Sequence, residues 1–330
     1  MKKTVVRWYT VILISLASLV GCEKEITVDL PTVPSQIVVE GTIEQGQPPV
    51  VLLTKSQGYF EPTNLNALEE LVVRGASVYV TNNGNEVQLT EVCSSDLPPE
   101  LLPLVVELTG FSAEQLQAFD LCLYTTFDES IWGEVNQIYE LRIESGDEVL
   151  TSQTKINTPI ALDSVWFERP GSPSPEDSLG FLYAILTDPD TTGNAYRWFA
   201  RRVNTYPSWS PNAGEIKDVS YIAPLGSAND DAFFNGLNFE FGYFRQPAPN
   251  SIKEDDTNEE AGFYKVGDTV AVRGTVIDLG AYQYISSFED QAASQGSPFA
   301  SPANIRSNIN GGLGAWIGYG ATYDTIICVP

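Results

Sequence analysis

The chain has 330 residues, a formal net charge of −25 and no histidine, with charged residues at 18% and aromatic residues at 11%. That length allows two cored domains, and the composition is that of a globular protein rather than a disordered acidic tail. The charge argues against nucleic acid as a partner, and the absence of imidazole removes Ser-His-Asp and Cys-His nucleophiles, His-bound zinc or iron and the usual pH switch; carboxylate-only chemistry by an Asp/Glu pair stays open.

Lys2, Lys3 and Arg7 precede an apolar run from Trp8 to Val20, too short to span a bilayer, which reads as a secretory signal peptide over residues 1–21. Leu19-Val20-Gly21-Cys22 closes it as a lipobox, so Cys22 is the expected lipidation site and the first residue of the mature chain. Two or three acyl chains there give a stable anchor where one would be marginal. The alternative is an ordinary secreted protein whose cleavage site happens to precede a cysteine. Residues 22–36 form a tether, and its Glu23, Lys24 and Glu25 resemble the short signals that route some Gram-negative lipoproteins to the cell surface. The outer membrane, reached through lipidated Cys22, is the one membrane contact expected, because this much negative charge repels anionic headgroups.

Beyond the tether, short β-branched runs alternate with turn residues, which predicts a mainly β protein of two antiparallel β domains. The first, residues 37–160, is an expected β-sandwich with strands at Ile37–Ile43, Val50–Thr54, Ala76–Thr81, Glu86–Val92, Ile138–Ile143 and Glu148–Ile156. Asn82-Asn83-Gly84-Asn85 and Glu144-Ser145-Gly146-Asp147 are its hairpin signals. Residues 95–121 break the strand pattern: Leu101, Leu102, Val105, Val106 and Leu108 fall at helical spacing, and Ser112 with Gln115 reads as a capping box. This predicts a helical insertion, at its simplest a cover for a sheet edge. Cys93 and Cys122 bracket it and are the expected disulfide, for which the chain-entropy estimate is roughly 3 to 4 kcal/mol. Cys328 is left over as a buried thiol.

Thr158-Pro159 marks the expected boundary, with a second β domain at residues 161–330. Its expected strands are Leu179–Thr187 and Ala195–Asn204 joined as a hairpin through Asp188–Asn194, then Val219–Ile222, Asn238–Phe244 and Thr269–Leu279. One amphipathic helix over Ala281–Ala293 and a final strand over Thr322–Val329 complete it.

No motif nominates a catalytic residue, a cofactor or a metal. Asp188, Asp190 and Gly193 open like a calcium loop, but the twelfth position is Phe199 instead of a bidentate Glu, so a turn is the expected role. The acidic run Glu254–Glu260 is read as a solvated loop. Gly311-Gly312-Leu313-Gly314 lacks the Lys-Ser/Thr of a phosphate cradle and is read as a bend or a close backbone approach to Trp316. Arg197, Arg201 and Arg202 either meet an anion or, the favoured reading, neutralise nearby acids. The aromatic stretch holding Tyr206, Trp209, Phe233, Phe234, Tyr243 and Phe244 is assigned mostly to core packing.

Several segments together carry a family resemblance: Val38-Val39-Glu40-Gly41, Asp188-Pro189 before Asn194 and Tyr196, and Gly267-Asp268. The closing stretch adds Ser297-Pro298-Phe299, Pro302, Ile305, Ser307-Asn308-Ile309 and Gly311-Gly312-Leu313-Gly314. They resemble the domain-of-unknown-function family numbered 4249, whose members are envelope lipoproteins often encoded beside TonB-dependent outer-membrane receptors. The resemblance implies a non-enzymatic accessory of such a transporter in nutrient uptake, at the outer membrane or cell surface, with the ligand unknown and no catalytic residues to carry over. The alternatives are a surface carbohydrate-active enzyme using a carboxylate pair and a structural or adhesive lipoprotein.

Overall fold

In the strand β1 (Ile37–Glu44), Ile37, Val39 and Ile43 are buried while Glu40 and Thr42 face solvent, the alternation of a strand with one face in a core. The computed structural model describes residues 34–57, 70–97, 102, 105, 106, 111, 113–118, 120–169, 178–210, 212–246, 262–294 and 304–330. Strand β1 pairs antiparallel with β2 (Val50–Lys55) and, on its other side, parallel with the last strand, β16 (Leu313–Ile327), in register Val39↔Gly314 through Glu44↔Tyr319.

Around this pairing grows an eight-stranded sheet. Beyond β2 lie β6 (Cys122–Thr125) and β5 (Thr90–Cys93); beyond β16 lie β15 (Thr269–Ile277), β11 (Ala195–Arg202) and β12 (Ala228–Asp230). Two smaller sheets pack on one face of it. The first is β4 (Asn85–Gln88), β3 (Ser77–Asn82), β7 (Ile138–Ser145) and β8 (Glu148–Lys155), and it encloses Val39, Leu53, Val80, Leu141, Ile143 and Trp316. The indole N–H of Trp316 donates to the Tyr139 carbonyl at 3.0 Å, which pairs the one polar atom this ring carries into the core. The second small sheet is β9 (Ser164–Glu168), β10 (Leu179–Thr187), β13 (Asn238–Tyr243) and β14 (Tyr264–Lys265), packed on Trp198, Ala200, Val270 and Val272. The opposite face of the large sheet is covered by helices: α1 (Ala113–Ala118) at one end and α2 (Leu279–Ser294) at the other.

The mainly β expectation and the C-terminal helix hold. Several details differ, and the run Val219–Ile222 forms only an isolated bridge from Ile222 to Ala200. The large sheet crosses the boundary expected at 160/161: it takes β1, β2, β5 and β6 from one side and β11, β12, β15 and β16 from the other, and Ser35–Pro330 is one compact unit. The β1–β16 pair is parallel within an otherwise antiparallel sheet. The run Glu86–Val92 is two strands in different sheets, broken at buried Leu89, whose N–H donates to the Val78 carbonyl. Finally, β10 and β11 are not a hairpin. Asp188–Asn194 passes between sheets, held by the Asp231 carboxylate, which accepts from the Gly193 and Asn194 amides at 2.8 and 2.9 Å.

Candidate functional site

The register of the large sheet sets Leu123, Leu52, Glu40 and Ala315 in one transverse row on the helix-covered face. Leu123 and Leu52 belong to the apolar cluster under α1, with Val105, Val106 and Leu116. On the other side of Glu40, Ala315 and Ile317 lie under α2, against Ala281 and Ile285. Among the described residues the two covers do not close over β1, and Glu40 and Thr42 are exposed in the furrow between them. A carboxylate thus stands where sheet geometry calls for an apolar side chain.

Glu40 makes no hydrogen bond or ion pair among the described residues, whereas Glu44, two pleat repeats further along the same face, accepts from Arg273 and from the Tyr323 hydroxyl. Arg273 is itself sandwiched, 4.6 Å from the Phe199 ring centre and 4.7 Å from that of Tyr319. One end of the furrow is therefore neutralised and the other carries a free charge. The protein on either side strips water from Glu40 and raises its carboxyl above the ordinary glutamate range. Tyr284 on α2 is pushed up to about 12, first by burial and then by the charge of Glu40. Its ring stacks with half-exposed Phe288 at 6.2 Å. An unpaired carboxylate near two stacked rings is suited to an ammonium or guanidinium group.

Of the residues singled out in the sequence, Cys22 and the run Glu254–Glu260 lie outside the described residues. Cys93 and Cys122 are register partners in β5 and β6, joined by a disulfide at the base of the insertion. Glu91 lies beside them in the one trio of metal-ligating groups found among the described residues; both sulfurs are bonded to each other, and Glu91 accepts from the Gly75 amide and the Tyr124 hydroxyl. Replacing both cysteines with serine is expected to lower stability by about 3 kcal/mol. Hydrogen exchange should quicken over Ala113–Leu123, while β7 and β8 keep their protection; uniform loss across the chain would contradict this.

The three arginines meet acids or rings of their own chain. Arg197 lies 3.6 Å from Glu289, Arg201 packs 4.6 Å from the Tyr221 ring centre, and Arg202 forks onto Asp218 at 2.8 and 2.9 Å. Asp188 accepts from the Tyr196 hydroxyl and the Gly236 amide, a turn-bracing role. Cys328 is buried and its thiol is pushed up to about 12 by burial and by nearby Asp268. Core packing fails for three of the six aromatics named above: Trp209, Phe233 and Phe244 stand in solvent. Glu40 carried no sequence signal, because an acid at an outward strand position is ordinary. No helix among the described residues is long and apolar enough to cross a membrane.

A family model described as "Domain of unknown function (DUF4249)" matches residues 23–324. No curated protein matches the chain. Among solved structures, one similar chain is the native conformation of E. coli alpha-2-macroglobulin, at 10% identity and a TM-score of 0.19, with 75% of this chain and 13% of that chain covered. This chain thus spans a small part of that protein's length, and the agreement is too low to define a shared fold.

Proposed function

We propose that this chain, which belongs to the DUF4249 family, is a non-enzymatic accessory lipoprotein of the outer membrane that docks on a TonB-dependent transporter. The observation that carries the reading is the position of Glu40. It is an unpaired carboxylate between two apolar covers, on the strand that follows directly from the tether after Cys22. At about 3.5 Å per residue, the segment from Cys22 to Ile37 reaches a few tens of ångströms at most. A lipid anchor at Cys22 would keep the folded part within that reach of the membrane in which a transporter sits.

A carboxylate-pair hydrolase is the second reading, since Glu289 is the other glutamate whose carboxyl burial raises. Its oxygens are engaged by the Gly226 amide at 2.8 Å and by Arg197, so Glu289 is not free to act as the second acid of a pair with Glu40. That favours docking.

The test is a mild-detergent pull-down of the natively expressed protein from outer membranes, with mass spectrometry of its partners and protease shaving of intact cells. Stoichiometric recovery of a TonB-dependent receptor, with the lipoprotein shaved away and the receptor lost from Glu40→Lys, is the expected result. Recovery alone and protected from protease would overturn it. Stability gives a second measure. The ionised form of Glu40 is disfavoured in the fold, so the penalty is full above its raised pKa and vanishes as pH falls below the ordinary value of 4.5. Glu40→Gln should therefore raise the Tm at pH 7 and leave it unchanged near pH 4, a stability gain joined to a loss of docking.

A further inference from the structure

Strand β13 is an open edge of the second small sheet: β10 lies on one side of it, and among the described residues no strand lies on the other. The register says which main-chain groups point that way. The Asp188 N–H donates to the Leu237 carbonyl at 2.9 Å, one step beyond the partners Thr187↔Asn238, and hydrogen-bonded pairs alternate along an antiparallel ladder. Phe239, Phe241 and Tyr243 therefore direct their N–H and C=O groups toward β10. Asn238, Glu240 and Gly242 direct theirs outward, where they meet no partner among the described residues. Other sheet edges are blunted. β4, β5 and β12 have four, four and three residues, and β8 is bridged at Thr151 by Asn310. β13 has six residues, with neither a proline nor a bulge.

The two faces of the strand differ. Phe239, Phe241 and Tyr243 lie on the core side, with Phe241 edge-on to Trp198 at 5.6 Å and Tyr243 at 5.8 Å from it, yet all three stay half-buried because the sheet stops beside them. Phe233 and Leu237, which precede β13 in the chain, stand in solvent. On the outer face Glu240 is exposed and makes no hydrogen bond or ion pair among the described residues. That charge argues against a second copy of the chain as the neighbour. Two β13 strands paired antiparallel through all three outward residues would set Glu240 opposite Glu240, a destabilising like-charge contact between chains that each carry a net charge of −25.

We propose that the β13 edge takes up an extended segment of another protein as an added antiparallel strand, and that this segment alternates apolar side chains with a lysine or arginine. Its main chain bonds Asn238, Glu240 and Gly242. The cation stands opposite Glu240, and the apolar residues on either side of it lie beside Phe239 and Phe241 and complete their burial. The edge lies on the face of the large sheet opposite Glu40, so this inference does not rest on the docking reading.

The probe is a fluorescent peptide, Val-Thr-Val-Arg-Val-Thr-Val on a Gly-Ser tail, whose anisotropy is followed as the full chain is titrated in mild detergent. Binding should be saturable, should weaken about fivefold when the peptide's arginine becomes glutamate, and should show the reverse preference in Glu240→Lys. Methylating the arginine and threonine amides, which face β13 in this register, should abolish binding, whereas methylating the valine amides, which face away, should leave it. Glu240→Pro should also abolish it. The Glu240 N–H bonds nothing within the fold, so an edge proline is tolerated there while the added strand loses a donor. Glu40→Lys should bind the peptide as the parent chain does. Equal affinity for the arginine and glutamate peptides, or loss of the peptide from Glu40→Lys, would overturn the proposal. So would slow hydrogen exchange of the Asn238, Glu240 and Gly242 amides in the free chain, since the edge would then already be covered. Should Glu240→Pro fail to fold, the reversed preference of Glu240→Lys decides.

Discussion

Gly314→Ala should unfold this protein under conditions where the parent chain is stable, with a loss of more than about 4 kcal/mol in denaturant titrations. Gly314 has φ +98, a region an L side chain adopts only with strain of about 1–3 kcal/mol. Beyond the strain, a Cβ there would sit 2.0 Å from the Val39 carbonyl oxygen and 2.7 Å from its nitrogen. Both atoms are main chain in the parallel β1–β16 ladder, with Val39 and Gly314 as register partners, so neither can rotate aside. Relief requires the two strands to part. That parting would divide the large sheet between its first and last strands and open the core around Trp316. Gly46→Ala separates the two causes. Gly46 also has a positive φ, +73, but nothing lies within 4 Å of its Cβ position, so only the left-handed penalty of about 1–2 kcal/mol applies. Equal losses in the two variants would show that close approach contributes nothing.

The same ladder explains what the sequence disclosed and what it withheld. The Asn82–Asn85 turn was legible because its chemistry is local: Asn83 and Gly84 take φ +50 and +80 between β3 and β4, as the residue types indicate. Alternation in Ile37–Ile43 likewise marked the buried face of β1. Gly311-Gly312-Leu313-Gly314 was read as a bend or a close backbone approach to Trp316, ahead of a strand at Thr322. Gly311 and Gly312 do bend the chain, but β16 begins at Leu313, and the close approaches of Gly311 and Gly314 are to the main chain of Val149 and Val39, far away in sequence. A parallel pairing of first and last strands leaves no local trace, which is why Pro159 passed for a domain boundary. Cys93 and Cys122 stood out by composition and spacing. Glu40 did not, because its setting is made by α1 and α2, each remote from it in the chain. Trp198 was equally silent: its indole nitrogen has no hydrogen-bond partner among the described residues, and a tryptophan in a strand looks like core either way.

Asp218→Ala should lower stability by about 3–5 kcal/mol, the second-largest single-site effect expected. Arg202 and Asp218 are 2% and 5% exposed, and the pair is held three ways: Arg202 Nε and its main-chain N–H donate to one carboxylate oxygen, and Nη2 donates to the other. Burial alone would favour losing the charge of Arg202. The hydrogen bonds and charge of Asp218 more than offset it, aided by Asp268 nearby, and the guanidinium stays protonated at every accessible pH. Removing Asp218 takes both carboxylate oxygens away from that charge in a buried setting. Asp268 cannot replace the lost partner in full, because Lys217 already donates to it at 2.6 Å and the Lys265 amide at 2.9 Å. The loss in the single variant therefore measures the cost of taking a main partner from a buried charge and not the net worth of the pair. Arg202→Met combined with Asp218→Leu should recover most of the stability, because apolar groups of similar volume need neither partner nor water. A small loss for Asp218→Ala, under about 1 kcal/mol, would mean that water reaches Arg202. A double variant as unstable as the single one would mean that the pair holds the loop after β11 in place through its geometry.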